Sequence, residues 1–491
     1  TTLLLAAGLV FAASAPASAV DVKVDGAYTF DYQIGEKVVN EKHKSKVNNN
    51  FDGAGQRLRL GLTLAASENL SGYIQFQDDQ IWGASPDKQG DMEIRLRQAY
   101  IDWIIPQTSV KVRMGRQQLG LPADAIGGWN AIMESTWGGR DAIAISAPVA
   151  DFMNVTAFWN RVDAGAADED VSVPNADAFG AVIDLKFDGL TVSPYVMYAN
   201  IDKGIAADNK DMITAWDMSK DDRVDRPVYD AAQKTKGGNS AKDTATSWSG
   251  DKDGYYDKGD ANAYWVGFSS TLSYFDPFTL KLSGAYGAKA YGDGLKDNDG
   301  KEVKDRHGWY VQAKASYKTV YGTPVLGAWY ASGDDRDEYG RQGWIPTLGG
   351  RFGATHLYNP KSAAAVSCMP GQRNNVAGTW GIQAGIENVS FLEDLSHTFL
   401  VTMYKGTNNS GNDYAKSENA WDYLTYEDTL VEFDLLSTYK IYKNLSATLE
   451  LGYIIADIDN GAHSAPGATG KDKADYGSSA WRTGLVFAYT F

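Results

Sequence analysis

Gln56 to Ala66 reads QRLRLGLTLAA. Leu58, Leu60, Leu62 and Leu64 occupy every second position, with Arg57, Arg59, Gly61 and Thr63 between them. Successive side chains of a strand point to opposite faces, so this stretch is a strand with one apolar and one polar side. Wound as a helix, the same residues would mix Arg and Leu around the cylinder. The alternation recurs. Tyr264, Val266, Phe268, Leu272 and Tyr274 share one face. Phe278, Leu280, Leu282 and Tyr286 oppose Thr279, Lys281, Ser283 and Ala285, and Leu445, Ala447, Leu449, Leu451 and Tyr453 oppose Ser446, Thr448, Glu450 and Gly452. Further strands are expected near residues 22–33, 70–80, 92–105, 109–117, 140–149, 152–162, 176–187, 190–200, 308–319, 324–332, 376–388, 397–406, 429–441 and 478–491. Most are about nine to fifteen residues long, where a tilted strand needs about 9–11 to cross a bilayer core and soluble strands average about 5–6.

Short connections such as Ser67–Asn69, Pro106–Thr108, Phe187–Gly189 and Tyr442–Asn444 alternate with long polar ones near 34–54, 118–138, 163–175, 201–261, 291–306, 333–375, 407–427 and 460–477. A polar face cannot look into lipid, and only a closed sheet satisfies its backbone at membrane depth. The expected fold is therefore all-β: a transmembrane antiparallel β-barrel of about 16–18 strands, with short periplasmic turns and long extracellular loops. Its apolar face looks outward, and Tyr100, Trp103, Tyr274, Phe275, Tyr317, Tyr321, Tyr439, Tyr442 and Tyr489 stand where aromatic girdles are expected. A barrel of that size leaves a lumen that side chains cannot fill.

Composition agrees. The 491 residues carry 46 Lys and Arg against 62 Asp and Glu, a net charge of −16, which weighs against nucleic-acid binding. No apolar run of about 18 residues follows position 20, which excludes a bundle of membrane-spanning helices. The chain has 28 Tyr, 14 Trp and 17 Phe but a single cysteine, Cys368, so no intrachain disulfide can form. Thr1 to Ala19 joins an apolar stretch to Ala17-Ser18-Ala19 and reads as a signal peptide lacking its charged start, leaving residues 20–491 as the barrel. Two Asp-rich stretches, 251–254 and 297–300, miss the calcium-loop pattern because Ser249 and Leu295 precede them; they read as turns. The five His show no metal spacing, and no cofactor or metal is expected.

The chain's last residues, WRTGLVFAYTF, place Leu485, Phe487, Tyr489 and Phe491 at alternate positions. This resembles the C-terminal signature of outer-membrane β-barrels, and the resemblance implies recognition by the barrel-assembly machinery. The run Met92 to Pro122, MEIRLRQAYIDWIIPQTSVKVRMGRQQLGLP, resembles the early strands of Gram-negative trimeric porins. The whole chain is similar to the homotrimeric porins of sulfate-reducing bacteria. The resemblance implies an outer-membrane homotrimer, set in lipid and lipopolysaccharide, that passes small hydrophilic solutes and ions by passive diffusion. It also implies that the third long loop folds into the lumen.

That loop, residues 117–139, is less polar than an outside loop should be, since Trp129, Ile132, Met133 and Trp137 would stand in water. Folded inward, it would aim Asp124 and Glu134 into the pore. Facing them, on inward registers, are Arg57, Arg59, Arg95, Arg97, Lys111 and Arg113, a basic ladder, with Arg482 on the last strand. Rows of opposite charge across a wide pore set up a field that sorts solutes. Strict alternation turns Arg116 outward unless the strand bulges. Each Arg could instead be structural, paired with Glu93, Glu432, Asp434 or Glu450. Two other readings stay open: a channel selective for small anions or carboxylates, and a surface adhesion protein using the long loops. An enzyme is not expected, because no Ser has a His near it in sequence.

Overall fold

The computed structural model describes residues 20–37, 50–83, 94–134, 139–163, 176–201, 261–291, 305–333, 343–357, 378–410, 424–464 and 475–491. The expected signal segment 1–19, Glu93, Trp137, Cys368 and both Asp-rich turns lie outside these residues.

Eighteen strands follow one another: β1 (Asp21–Glu36), β2 (Asn50–Ser67), β3 (Leu70–Ile81), β4 (Arg95–Ile104), β5 (Lys111–Gln117), β6 (Arg140–Ala150), β7 (Met153–Asp163), β8 (Ala176–Phe187), β9 (Leu190–Ile201), β10 (Ala261–Leu272), β11 (Phe278–Tyr291), β12 (Arg306–Tyr317), β13 (Thr323–Ala331), β14 (Thr379–Leu392), β15 (Leu395–Gly406), β16 (Thr429–Tyr442), β17 (Leu445–Asp457) and β18 (Ser479–Thr490). Each pairs antiparallel with the next, and β1 pairs with β18 from Ala27↔Thr490 to Glu36↔Trp481, so the sheet has no edge. At the seam, the Gly26 N–H donates to the Phe491 carbonyl at 2.9 Å and the Phe491 N–H donates back at 3.1 Å. A Cβ on Gly26 would lie 2.3 Å from the Phe491 ring, so only glycine lets that ring lie flat on the strand.

The apolar parity faces outward: Leu58, Ile101, Val196, Val266, Val311, Leu326 and Ile382 are exposed on the barrel wall. The other parity faces in, where Gln33, Asn160, Gln312, Gln383 and Thr402 are buried. The last strand presents Leu485, Tyr489 and Phe491 outward, with the Phe487 ring beside Phe30 at 6.4 Å.

One strand breaks the rule. Gln75 pairs with Gln98, but the next residue, Phe76, pairs with Leu96, so Arg97 is extra. This bulge turns both Arg97 and Gln98 inward, where both are buried, and reverses the parity of the rest of β4. Leu96 therefore faces out, and so do Ile101 and Trp103. Tyr100, expected in a girdle, faces in instead: its ring lies 5.4 Å from Tyr73 and beneath the Arg113 guanidinium at 4.0 Å. β5 does not bulge. Arg116 stays on the outer face, 3.3 Å from Asp141 of β6.

Two inward loops pack on each other and on the inner wall. Ile126, Ile132 and Met133 of the loop after β5 pack with Ile345, Leu348 and Phe352 of the loop after β13 and with the wall residues Tyr195, Trp265, Tyr310 and Trp329. Among the described residues there is no α-helix.

Candidate functional site

The inner wall from β2 to β5 is basic. Arg57 and Arg95 share one carboxylate, Asp79: Arg57 bonds it through Nε and Arg95 at 2.9 Å. Arg113 donates two bonds of 2.6 Å to Asp102. Arg59 donates to the Gln77 amide oxygen at 2.8 Å and Arg97 to that of Gln75 at 2.6 Å. A neutral acceptor satisfies a guanidinium's geometry without cancelling its charge, so the bond to Gln77 leaves the Arg59 charge in place. Lys111 stands lower, in a cavity of about 560 Å³ at the short-turn end, lined also by Ile104, Thr108, Ser109, Ser146, Pro148 and Asn154. Six of the seven ladder residues thus lie on neighbouring strands. Arg482 does not join them. It is buried against Glu450 at 3.3 Å and donates to the His356 carbonyl at 3.2 Å.

The constriction loop is built on two side chains. The Asn130 Oδ1 accepts from the N–H groups of Ile132 and Met133, and its Nδ2 donates to the Pro122 carbonyl. The Asp124 carboxylate accepts from Ala131 N–H at 2.8 Å and from the Tyr310 hydroxyl at 2.9 and 3.0 Å. Asp124 was expected to project into the pore. It is buried with its carboxyl turned to the β12 wall, because the Ala131 N–H and the Tyr310 hydroxyl supply the partners that open water would otherwise give. Burial outweighs these donors and raises its carboxyl to about 7. Ser283 and Gln312 hold the adjacent N–H groups of Ala125 and Ile126.

Glu134 does meet the basic wall. It is buried, not open to the lumen, and lies in the electrostatic field of Arg59, Arg97, Arg140 and Arg351.

The second inward loop, residues 343–357, was not anticipated as a pore element. Its signal was present: Trp344, Ile345, Leu348, Phe352 and Leu357 make it as apolar as the constriction loop. The two loops are stitched by Leu348 N–H to the Ile132 carbonyl at 2.7 Å and Arg351 N–H to the Asn130 carbonyl at 2.9 Å. A Cβ on Gly350 would sit 2.0 Å from the Ala131 oxygen, so this approach requires glycine. Arg140 donates to the Leu348 carbonyl at 2.6 Å, and Arg351 stacks on Trp129 at 4.2 Å. The far end is held by Glu432, which accepts from the N–H groups of His356 at 3.0 Å and Leu357 at 2.6 Å.

The carboxylates of β16 and β17 are thus covered: Glu432, Asp434 and Glu450 are all buried behind this loop. Glu450 pairs with Arg482, while Asp79 holds Arg57 and Arg95, Asp102 holds Arg113, Gln75 holds Arg97 and Gln77 holds Arg59. No group of three potential metal ligands occurs among the described residues.

No family model matches the chain, and no curated protein matches it either. Its barrel is similar to solved structures. The outer-membrane protein opdK of Pseudomonas aeruginosa superposes with a TM-score of 0.52 at 10% identity, covering 96% of this chain and 98% of that one. OprD of the same organism gives 0.50 at 11% identity over 96% and 95% of the two chains. OccAB1 of Acinetobacter baumannii gives 0.50 at 12% identity over 95% and 97%. At these identities the likeness is one of fold: a closed antiparallel barrel of the kind these proteins share.

Proposed function

We propose that the chain is an outer-membrane porin, a non-enzymatic channel through which small hydrophilic solutes and ions diffuse passively. The observation that carries the reading is the pairing of a closed eighteen-strand sheet, apolar outside and polar inside, with a basic wall facing the constriction loop. Eighteen strands enclose an aqueous lumen, and inward loops narrow it to a passage whose lining chooses among solutes. A barrel of like fold, opdK of Pseudomonas aeruginosa, is an outer-membrane protein, which supports that location. Export by residues 1–19, recognition of Leu485, Phe487, Tyr489 and Phe491 by the barrel-assembly machinery, residence among lipopolysaccharide, and a homotrimer akin to the porins of sulfate-reducing bacteria complete the proposal.

A second reading, selectivity for small anions or carboxylates, is favoured by Arg59, whose charge is bonded to a neutral amide. Planar-bilayer recording of the purified protein tests both. Stable ohmic channels that close in three equal steps are expected, with a reversal potential on the anion side in a salt gradient. Absence of conductance removes the porin reading. Saturable current blocked by a small carboxylate promotes the second reading, and uptake that is linear for unrelated solutes of equal size eliminates it.

A further inference from the structure

The basic wall ends, at the short-turn end, in the cavity of about 560 Å³ around Lys111. Its sides are inward side chains of four neighbouring strands. Lys111 of β5 pairs with Ile104 of β4 and with Ser146 of β6, and Ser146 pairs with Thr156 of β7. Pro148 and Asn154 pair two residues nearer the turn. Asn154 and Thr156 share the parity of the buried, inward Asn160, so lipid does not reach this space. Its size is in the range that takes a small organic molecule, about 300–1,000 Å³.

Its spare polar groups are donors. Among the described residues the Lys111 ammonium forms no ion pair and no side-chain hydrogen bond, and the Ser109 hydroxyl forms none either. Asn154 gives one amide hydrogen to Thr156 Oγ1 at 3.4 Å and keeps the other. No Asp or Glu lines the space, and Asp151, in the turn after β6, stands outside it. Two inward carboxylates flank it. Asp102 receives both of its bonds of 2.6 Å from Arg113. Asp184 accepts from Ser193 at 2.6 Å and stands on β8, three strands from Lys111. At about 4.8 Å per strand that is about 14 Å, beyond the screening length of about 8 Å in physiological salt. Ile104 and Pro148 add apolar surface beside the ammonium.

We propose that this cavity is an exit site for short aliphatic carboxylates, in which the carboxylate meets Lys111, Ser109 and Asn154 and the chain lies on Ile104 and Pro148. The inference rests on the channel reading and gives its anion-selective form a holding site apart from the constriction. A carboxylate entering here takes up donors that have no other acceptor. A cation meets an ammonium without a counter-charge. A neutral solute of the same shape leaves that ammonium unmatched, and an anion without a chain leaves Ile104 and Pro148 wet. The site is open to the lumen, so the bound solute can also leave, which conduction requires.

The test is saturation-transfer NMR on the purified full-length protein in detergent, with butyrate as the probe. A weak, saturable butyrate signal is expected. Lys111→Met should lower its affinity about tenfold or more, the loss of one charge-assisted hydrogen bond, and Lys111→Arg should keep it. Asn154→Leu should weaken it less. Butyramide is expected to give no signal, and acetate a weaker one than butyrate. Butyrate binding that is unchanged in Lys111→Met overturns the site, and so does butyramide binding as well as butyrate to the unaltered protein. Planar-bilayer recording of the same preparations separates the site from the channel. Conductance without Lys111-dependent binding overturns the site and leaves the channel standing. Lys111-dependent binding without conductance overturns the channel reading and the exit role with it.

Discussion

The two charged walls of the lumen use their charges differently. On β2 to β5 the cations outnumber their carboxylate partners, since Arg57 and Arg95 divide Asp79 while Arg59 donates to the Gln77 amide. On β16 and β17 the carboxylates are buried behind the second inward loop, and Glu432 accepts two N–H bonds from that loop's backbone. Equal numbers of inward charges would therefore not mean equal influence on a passing ion. What counts is whether a charge is left uncancelled and near water. In the proposed channel, one wall acts on solutes; the other holds the structure that narrows the way.

The sharpest way to break this contrast is Glu432→Ala. It strands two buried N–H groups, at about 1–3 kcal/mol each. The loop's far end is expected to detach, giving a clear rise in single-channel conductance and new protease cleavage within 343–357. An unchanged conductance would make the carboxylate wall merely decorative. Next comes Arg59→Glu with Arg97→Glu, which should lower the anion-to-cation permeability ratio several-fold, measured as a reversal potential in a salt gradient. Arg95→Glu with Arg97→Glu should move it the same way but less, because the Arg95 side chain is half exposed and better screened by water and salt. Arg113→Gln with Asp102→Asn is expected to change it least, because it removes a pair whose charges already cancel.

The smallest effect is one of pH. The Asp124 carboxyl is raised to about 7 by burial, so the folded loop holds its proton more tightly than the unfolded chain does. That contribution is complete below the ordinary carboxylate range and is lost as pH rises through about 7. Voltage-induced closure and current noise should shift between about pH 5 and about pH 9, and Asp124→Asn should flatten the shift. An equal shift in the variant would point to another group.

Much of this could be read from the residues alone. Period-two alternation located every strand, because side-chain direction in a sheet is a local property of the chain. The bulge at Arg97 was visible in principle: Ile94 and Leu96 hold one parity, Ile101 and Trp103 the other, and one extra residue must stand between. The partners of the arginines were not legible. Asp79 and Asp102 meet Arg57 and Arg113 through cross-strand register, which depends on where each hairpin turns. Nor was the direction of Asp124, which is set by a tyrosine 186 residues away in the chain. The second inward loop was legible but passed over: its Trp, Ile, Leu and Phe gave the same warning as those of the constriction loop.

The β1 and β18 seam has a consequence for how the molecule comes into being. The strand synthesised first finds its second neighbour only when the eighteenth has been made, so every earlier stage is a ribbon with two raw margins. Such a ribbon can zip onto any stranger that offers a strand. The open margins stay exposed until the zipper meets itself, and the fit of the Phe491 ring over Gly26 is the clasp that tells a finished cylinder from an open one.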